Sequence, residues 1–332
     1  MKAPSAPDTT PALSAWLPAF LSNAVIWGAS FVFIKIAVDG GLHPTYVAAG
    51  RVVAGALALV LILLVTRDRL PRDPRLWAHM IVPGVVGTVI PFTLFSYGEQ
   101  RIPSVVAGIW NATTALWVLP IAVLIYRTET FSARKAIGLG VGFVGVATVL
   151  GFWHIQGDAS LTGQAMCAAA AICYGFSIPY LKRFVSGRTD GGRPVSGVAF
   201  AACQLIVASV VLIVVSPLIA GPPPAPADLS WGVLASVAVL GIFGSGIAFA
   251  LNMRVIEVKG ASTTAFVTYL IPVVATILGV TVMSETFTWN QPVGAAIVLV
   301  GVAYAQGVFS SVRRRPGQQL LGRPRVDDPV RG

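Results

Sequence analysis

The sequence predicts an all-α membrane protein with ten transmembrane helices in two inverted-topology five-helix repeats. Three observations carry that prediction. Of 332 residues, 55% are hydrophobic and only 11% charged, where a soluble domain carries about a quarter charged residues. The few charges are separated by long apolar intervals, and the cations concentrate in alternate loops. An ordinary soluble enzyme is excluded, and so is a nucleic-acid binder. The net charge of +10 is not gathered into a basic groove interleaved with aromatics.

A helix needs about 20 mainly apolar residues to cross the hydrocarbon. Ten intervals qualify: 9–34, 40–66 (containing Arg51), 76–98, 102–126, 136–157, 159–181, 194–227, 229–253, 260–284 and 286–312. The longest ends in Gly221, Pro222, Pro223, Pro224 and Pro226, a sequence for an external turn rather than a second span. Barrel strands would alternate apolar with polar residues, and these runs are continuous. The first run has no basic leader or small-residue cleavage site and is expected to be retained as a span.

The cations set the orientation. With the N-terminus placed in the cytoplasm, 20 of the 23 Lys and Arg fall in inside segments, Arg101 alone lies outside, and Lys35 and Arg51 lie within spans. By the positive-inside rule both termini are cytoplasmic, in a multi-pass protein of the inner or plasma membrane. The chain is expected to divide into a cytoplasmic segment 1–15, one five-helix unit 16–158, a second 159–311, and a basic disordered tail 312–332.

Self-similarity supports the duplication. Trp27-Gly28-Ala29-Ser30 with Phe33-Ile34-Lys35 is echoed by Tyr174-Gly175-Phe176-Ser177 with Tyr180-Leu181-Lys182, at an offset of 147. Glu129-Thr130-Phe131, Gly138 and Gly145-Val146-Ala147 recur as Glu285-Thr286-Phe287, Gly294 and Gly301-Val302-Ala303, at 156. Extra residues at Gly187 to Pro194 account for the growth in offset. Five helices is an odd number, so the second unit enters from the opposite face, an arrangement suited to alternating access.

These motifs resemble the drug/metabolite transporter superfamily, in particular its ten-helix EamA branch, over residues 15–310. Trp27 to Ser30 is similar to the opening-helix pattern, Glu129 and Glu285 to the turn before each last helix, and Arg51 to an arginine of the second helix. Gln204 stands at the corresponding place in the second half. At Asn111 to Leu116 the chain departs from the family's usual glutamate or proline. The resemblance implies a solute carrier.

Candidate cavity residues follow from depth and face. Asn23, Trp27 and Ser30 share one side of the first span, and Tyr174 and Ser177 take the repeat-equivalent places on the sixth. The fourth span is polar at its middle, with Asn111 and Thr114 on one face and Trp110 and Trp117 on its neighbour; Thr263, Thr264 and Tyr269 belong to the equivalent ninth. Polar groups at such depth are costly unless satisfied. Arg51 lies about 10 Å into its helix at the usual rise and is expected to form a gating or structural ion pair with Glu99. Lys35 is expected to snorkel. Pro83-Gly84, Gly87 and Pro91 in the third span, and Gly241, Gly244 and Gly246 in the eighth, mark weak points in matching helices.

Cys167, Cys173 and Cys203 lie inside spans without metal spacing, and His43, His79 and His154 are separated in loops or at a helix end. No metal, cofactor or catalytic group is expected, and the chain is expected not to be an enzyme. No acidic residue is at mid-depth, which favours zwitterionic or anionic metabolites such as amino acids over cationic drugs. The expectation is therefore an exporter of small metabolites working by alternating access, with the bilayer and a small molecule as its partners. Two alternatives are a multidrug efflux carrier of the same superfamily and an intramembrane enzyme acting on a lipid, although the residues for the latter are missing.

Overall fold

The computed structural model describes residues 13–102, 104–149, 151–154, 160–282 and 288–306. The first twelve residues, the tail expected to be disordered, and the Glu285-Thr286-Phe287 motif lie outside the described residues, as does the side chain of Lys35. What is described is almost entirely helical.

In chain order the helices are α1 (Leu17–Asp39), α2 (Pro44–Val65) and α3 (Pro74–Glu99). Next comes α4, built from Ser104–Ala112, Thr114–Pro120 and a π-helical turn Ile121–Ile125. Then follow α5 (Ala133–Val149), α6 (Leu161–Phe184), α7 (Gly197–Ala220) and α8 (Trp231–Lys259). The last are α9, in two pieces Ala261–Ala265 and Val267–Val282, and α10 (Asn290–Gln306). A two-residue hairpin, β1 (Thr189–Asp190) with β2 (Arg193–Pro194), joins α6 to α7. Among the described residues, seven helices are long and apolar enough to cross a membrane: α1 to α4 and α6 to α8. The helices α5 and α10 have 17 residues each.

Local chemistry explains where the helices begin. His43 accepts from Thr45 N–H, Asp73 from Arg75 N–H, Ser160 from Gly163 N–H, Ser196 from Ala199 N–H and Ser230 from Val233 N–H. Each cap satisfies one of the N–H groups a helix start leaves unpaired. Pro44 and Pro74 occupy the first helical position, where the missing N–H costs nothing. The observed ends differ from the charge-free intervals for a simple reason: a charge ends the apolar run without ending the helix. Thus α1 continues past Lys35 to Asp39, and α8 continues past Arg254 and Glu257 to Lys259.

The third and eighth helices are interrupted in the way their prolines and glycines foreshadow. In α3, Pro83 and Pro91 bracket a π-helical turn over Val85–Val89. In α8, the π-helical stretch is Leu240–Ile247, containing Gly241, Gly244 and Gly246. Such turns leave carbonyls displaced from regular pairing and available to other helices.

Packing joins the first five helices to the last five at every level. Helices α5 and α10 lie along each other on a seam of glycines. A Cβ at Gly301 would come within 2.6 Å of Gly142 N, one at Gly294 within 2.4 Å of Val149 N, and one at Gly145 within 2.6 Å of Val298 N. Asn290 closes that seam by donating to the carbonyls of Thr148 and Val149. Helix α2 packs on α7 and on the π-helical stretch of α8, and α1 packs on α8 and α9. The largest apolar cluster gathers around Phe200, Leu59, Met80 and Leu205.

Side chains at the two ends of the bundle keep to their own end. At one, Ser196 donates to Asp68, Arg72 N–H to Asp190, Lys182 to the Glu257 carbonyl, and Ser262 N–H to Glu129. At the other, Tyr46 donates to the Gly221 carbonyl, His43 meets Tyr97 edge-on, and Trp153 stacks on Trp289. The first end collects the cation-rich loops. Exposed Leu, Val and Ile side chains cover the outer faces of the helices, Leu64 and Leu218 among them, as a lipid-facing surface requires.

Candidate functional site

Between the halves lies a cleft that takes in about 980 Å³, open mouth included. Its walls come from eight helices: α1 to α4 and α6 to α9. Among the described residues, helices α5 and α10 supply no lining residue.

The π-helical turn of α3 brings Gly87 to the cleft wall, and the second helix of each half reaches over to the broken stretch of the other half. From α2, Arg51 sends Nε to Ser245 Oγ at 3.1 Å, on the broken stretch of α8. Its guanidinium lies over the Phe92 ring, 4.0 Å from the centroid, close enough for a cation–π attraction. From α7, Gln204 Nε2 donates to Thr88 Oγ1 at 3.0 Å and to the Pro83 carbonyl at 3.2 Å, on the broken stretch of α3. Trp27 on α1 donates its indole N–H to the Gly244 carbonyl at 2.9 Å. Displaced carbonyls at membrane depth are thereby paired, as a low-dielectric setting demands.

Glu99, the last residue of α3, lines the same cleft as Arg51. The aromatic walls are Trp27, Phe92, Phe95, Tyr174 and Phe249. Trp27 meets Phe249 edge-on at 6.3 Å, Phe249 meets Phe92 at 6.2 Å, and Phe95 stacks on Tyr174 at 6.2 Å. Between them the lining presents Ser30, Asn111, Thr114, Ser177, Gln204 and Asn252. One cation, one carboxylate, flat apolar walls and a few neutral hydrogen-bonding groups converge on one space. That set can hold a small molecule bearing both charges and an apolar body.

Most of the residues singled out from the sequence come together here: Trp27, Ser30, Arg51, Glu99, Asn111, Thr114, Tyr174 and Ser177 all line the cleft. Asn23 is one layer behind, fully buried, with Nδ2 3.4 Å from Asn252 Oδ1. Three others are elsewhere. Trp110 packs at one end of α4 against Ile102, Ala107 and Cys167. Trp117 has its Cβ against Gly175 and remains 41% exposed on the outer surface. Tyr269 is fully buried against Gly142 and donates to the Leu139 carbonyl at 3.0 Å. Thr263 and Thr264 likewise serve packing, bonding Gln306 and the Gly260 carbonyl.

Sequence reasoning missed Phe92, Phe95, Phe249, Asn252 and Thr268 among the lining residues. The three phenylalanines carry no signal in an apolar helix. Asn252 had one, since it is an uncharged polar residue near the end of an apolar interval, four residues after Ala248 on the face of Phe249's neighbours.

The model of the EamA-like transporter family matches the chain twice, over residues 14–151 and 161–305. The uncharacterized inner membrane transporter YedA of Escherichia coli K12 is 27% identical over 282 residues, covering 84% of this chain and 86% of that protein. The uncharacterized transporter YoaV of Bacillus subtilis is 23% identical over 295 residues, with 87% and 96% covered. The S-adenosylmethionine/S-adenosylhomocysteine transporter of Chlamydia trachomatis is 25% identical over 278 residues, with 80% and 81% covered. A crystal structure of a protein 18% identical superposes with a TM-score of 0.74, covering 91% of this chain and all of that one, which shows a shared fold.

Proposed function

This chain belongs to the EamA-like transporter family, and from that premise we propose that it is a ten-helix secondary carrier of zwitterionic or anionic small metabolites, amino acids foremost. The family and the named relatives are transporters, and the alternative of an intramembrane lipid enzyme falls with that. Multiple apolar helices and an inner membrane transporter among the relatives make it a multi-pass membrane protein.

The finer architecture is our reading. The two five-helix units are 16–158 and 159–311, inverted relative to each other, with both termini in the cytoplasm. The double family match supports the duplication. So do the crossed reaches of Arg51 and Gln204, each to the broken third helix of the other half. The gathering of cation-rich loops at one end supports the orientation.

The observation that carries the substrate class is that Arg51 and Glu99, opposite in charge, line one aromatic-walled cleft to which both halves contribute. An α-carboxylate matches the guanidinium, an α-ammonium matches the carboxylate, and the rings take an apolar body. The Chlamydia trachomatis relative is named for S-adenosylmethionine and S-adenosylhomocysteine, both of which carry an amino-acid zwitterion. Alternating access follows from two halves of near-equivalent packing around a shared site. We assign export as the physiological direction.

The test is counterflow in proteoliposomes with a panel of neutral amino acids, anionic metabolites and lipophilic cations. Saturable exchange of the amino acids is expected, with none of the lipophilic cations; exchange confined to the cations would establish the multidrug reading instead. Direction is read in cells preloaded with the exchanged solute: deletion of the protein is expected to raise retention, and slower uptake on deletion would reverse the assignment.

A further inference from the structure

At the end of the bundle that collects the cation-rich loops, the turn after α2 and the hairpin of β1 and β2 enclose a second notch, which takes in about 460 Å³, open mouth included. The turn belongs to the first half of the chain and the hairpin to the second. Arg67, Asp68 and Arg69 line the notch from the turn, and Asp190 and Arg193 line it from the hairpin. It shares no lining residue with the central cleft.

Arginines and aspartates gathered in one notch would satisfy each other if they paired. Here the carboxylates are engaged elsewhere. Asp68 accepts from Arg69 N–H and from the Ser196 hydroxyl, and Asp190 accepts from Arg72 N–H at 2.7 Å. Those bonds tie the turn of one half to the hairpin of the other. Among the described residues, the guanidiniums of Arg67, Arg69 and Arg193 make neither a hydrogen bond nor an ion pair. Three cations against two carboxylates leave the notch a net charge of +1, and a guanidinium is suited to the oxygens of a phosphate.

The backbone supplies an independent observation. Helix α2 closes with Arg67 N–H on the Leu64 carbonyl and Asp68 N–H on the Leu63 carbonyl, a closure whose left-handed position is usually glycine. Arg67 holds that position at φ 56°. A long cation kept where glycine would be less strained points to work for its side chain. Leu64 and Val65, at the end of the same helix, are 70% and 75% exposed. The notch therefore lies beside an apolar surface suited to lipid, at the level where hydrocarbon gives way to headgroups.

We propose that this notch is a phosphate site at the membrane surface that the proposed orientation makes cytoplasmic. One half supplies Arg67 and Arg69, and the other supplies Arg193. Its ligand is the headgroup phosphate of an anionic phospholipid or the phosphate of a small soluble ester. A phosphate held there adds a link between the halves to those made by Asp68 and Asp190.

The full-length protein in neutral detergent is titrated with phosphatidylglycerol, phosphatidylcholine and inorganic phosphate. Bound lipid is counted by native mass spectrometry, and phosphate is followed by the rise in melting temperature. One saturable phosphatidylglycerol is expected, with phosphatidylcholine, whose ammonium cancels its charge, about tenfold weaker. Arg67→Gln with Arg193→Gln is expected to weaken binding about tenfold. Arg75→Gln with Arg183→Gln, which removes two cations of the same end from outside the notch, leaves it unchanged. Arg67→Gly suits the left-handed backbone, so its weakened binding is not a failure to fold. Saturable phosphate in place of lipid, lost in the same variants, upholds the site and assigns a soluble ester. Equal losses in both double variants would reduce the binding to the diffuse attraction of any basic face and overturn the site. Binding that Arg67→Gly leaves unchanged, or no saturable binding of lipid or phosphate, would overturn it as well.

Discussion

Arg51 and Gln204 make the same reach from opposite halves, and they do different things at the end of it. Gln204 spends its amide N–H on Thr88 Oγ1 and on the Pro83 carbonyl, so the broken turn of α3 is tied down by a neutral group. Arg51 ties the broken stretch of α8 through Ser245, but a guanidinium has five N–H donors, and its charge remains over Phe92 at the cleft wall. A cation at membrane depth costs about 2.5–3.5 kcal/mol on insertion scales, and a neutral amide far less. Duplicated architecture therefore carries one structural arm and one electrostatic arm. The lesson is that two equivalent reaches can end in different chemistry, and on the proposed reading specificity resides in that difference.

Making the arms alike is the sharpest way to break that comparison. Arg51→Gln preserves a donor for Ser245 but removes the charge, and we expect apparent affinity for zwitterions in counterflow to fall about 100-fold, the value of a charge-assisted hydrogen bond at its upper range. The seam of α5 and α10, which supplies no cleft-lining residue among the described residues, serves as the control. Gly301→Ala puts a Cβ 2.6 Å from Gly142 N, and overpacking of this kind costs about 2 kcal/mol; detergent melting should show the loss, with substrate affinity unchanged in the protein that folds. Gln204→Leu leaves the Pro83 carbonyl without its amide donor. About 1.5 kcal/mol of stability should go, with a much smaller effect on affinity than Arg51→Gln; an equal effect would erase the distinction between the two arms.

The smallest effect concerns the end of the bundle. Glu129 accepts from Ser262 N–H at 2.9 Å and pairs with Lys135 at 2.5 Å, linking the loop after α4 to the start of α9. Glu129→Ala should cost about 1 kcal/mol, the usual value of a lost helix cap, read as a lower melting temperature.

Much of this was legible in the sequence because membrane depth restricts what a residue can do. Long apolar intervals, caps and proline breaks dictate helices, and polar residues at mid-depth must face protein or a cavity, which is why Asn111, Thr114 and Ser177 reach the cleft. Rings were less legible. A tryptophan at helical spacing reads the same whether it faces a cavity, as Trp27 does, or the outer surface, as Trp117 does at 41% exposure. Tyr269 looked like a cavity group, yet Gly142 opposite it leaves room for the ring within the packing. That fit depends on a residue 127 positions away in the chain, and no local pattern reports it. The hairpin of β1 and β2 was likewise read only as extra loop length between the sixth and seventh spans.

The central claim, one cleft shared by two halves and opened to either side in turn, is tested most directly by accessibility. In a background with Cys167, Cys173 and Cys203 replaced, Ser177→Cys places a single thiol on the cleft wall. Membrane-impermeant thiol reagents are then applied from each side of sealed vesicles. Alternating access predicts labelling from both sides, slowed from both by the exchanged amino acid. Labelling from one side alone, unaffected by substrate, would contradict it.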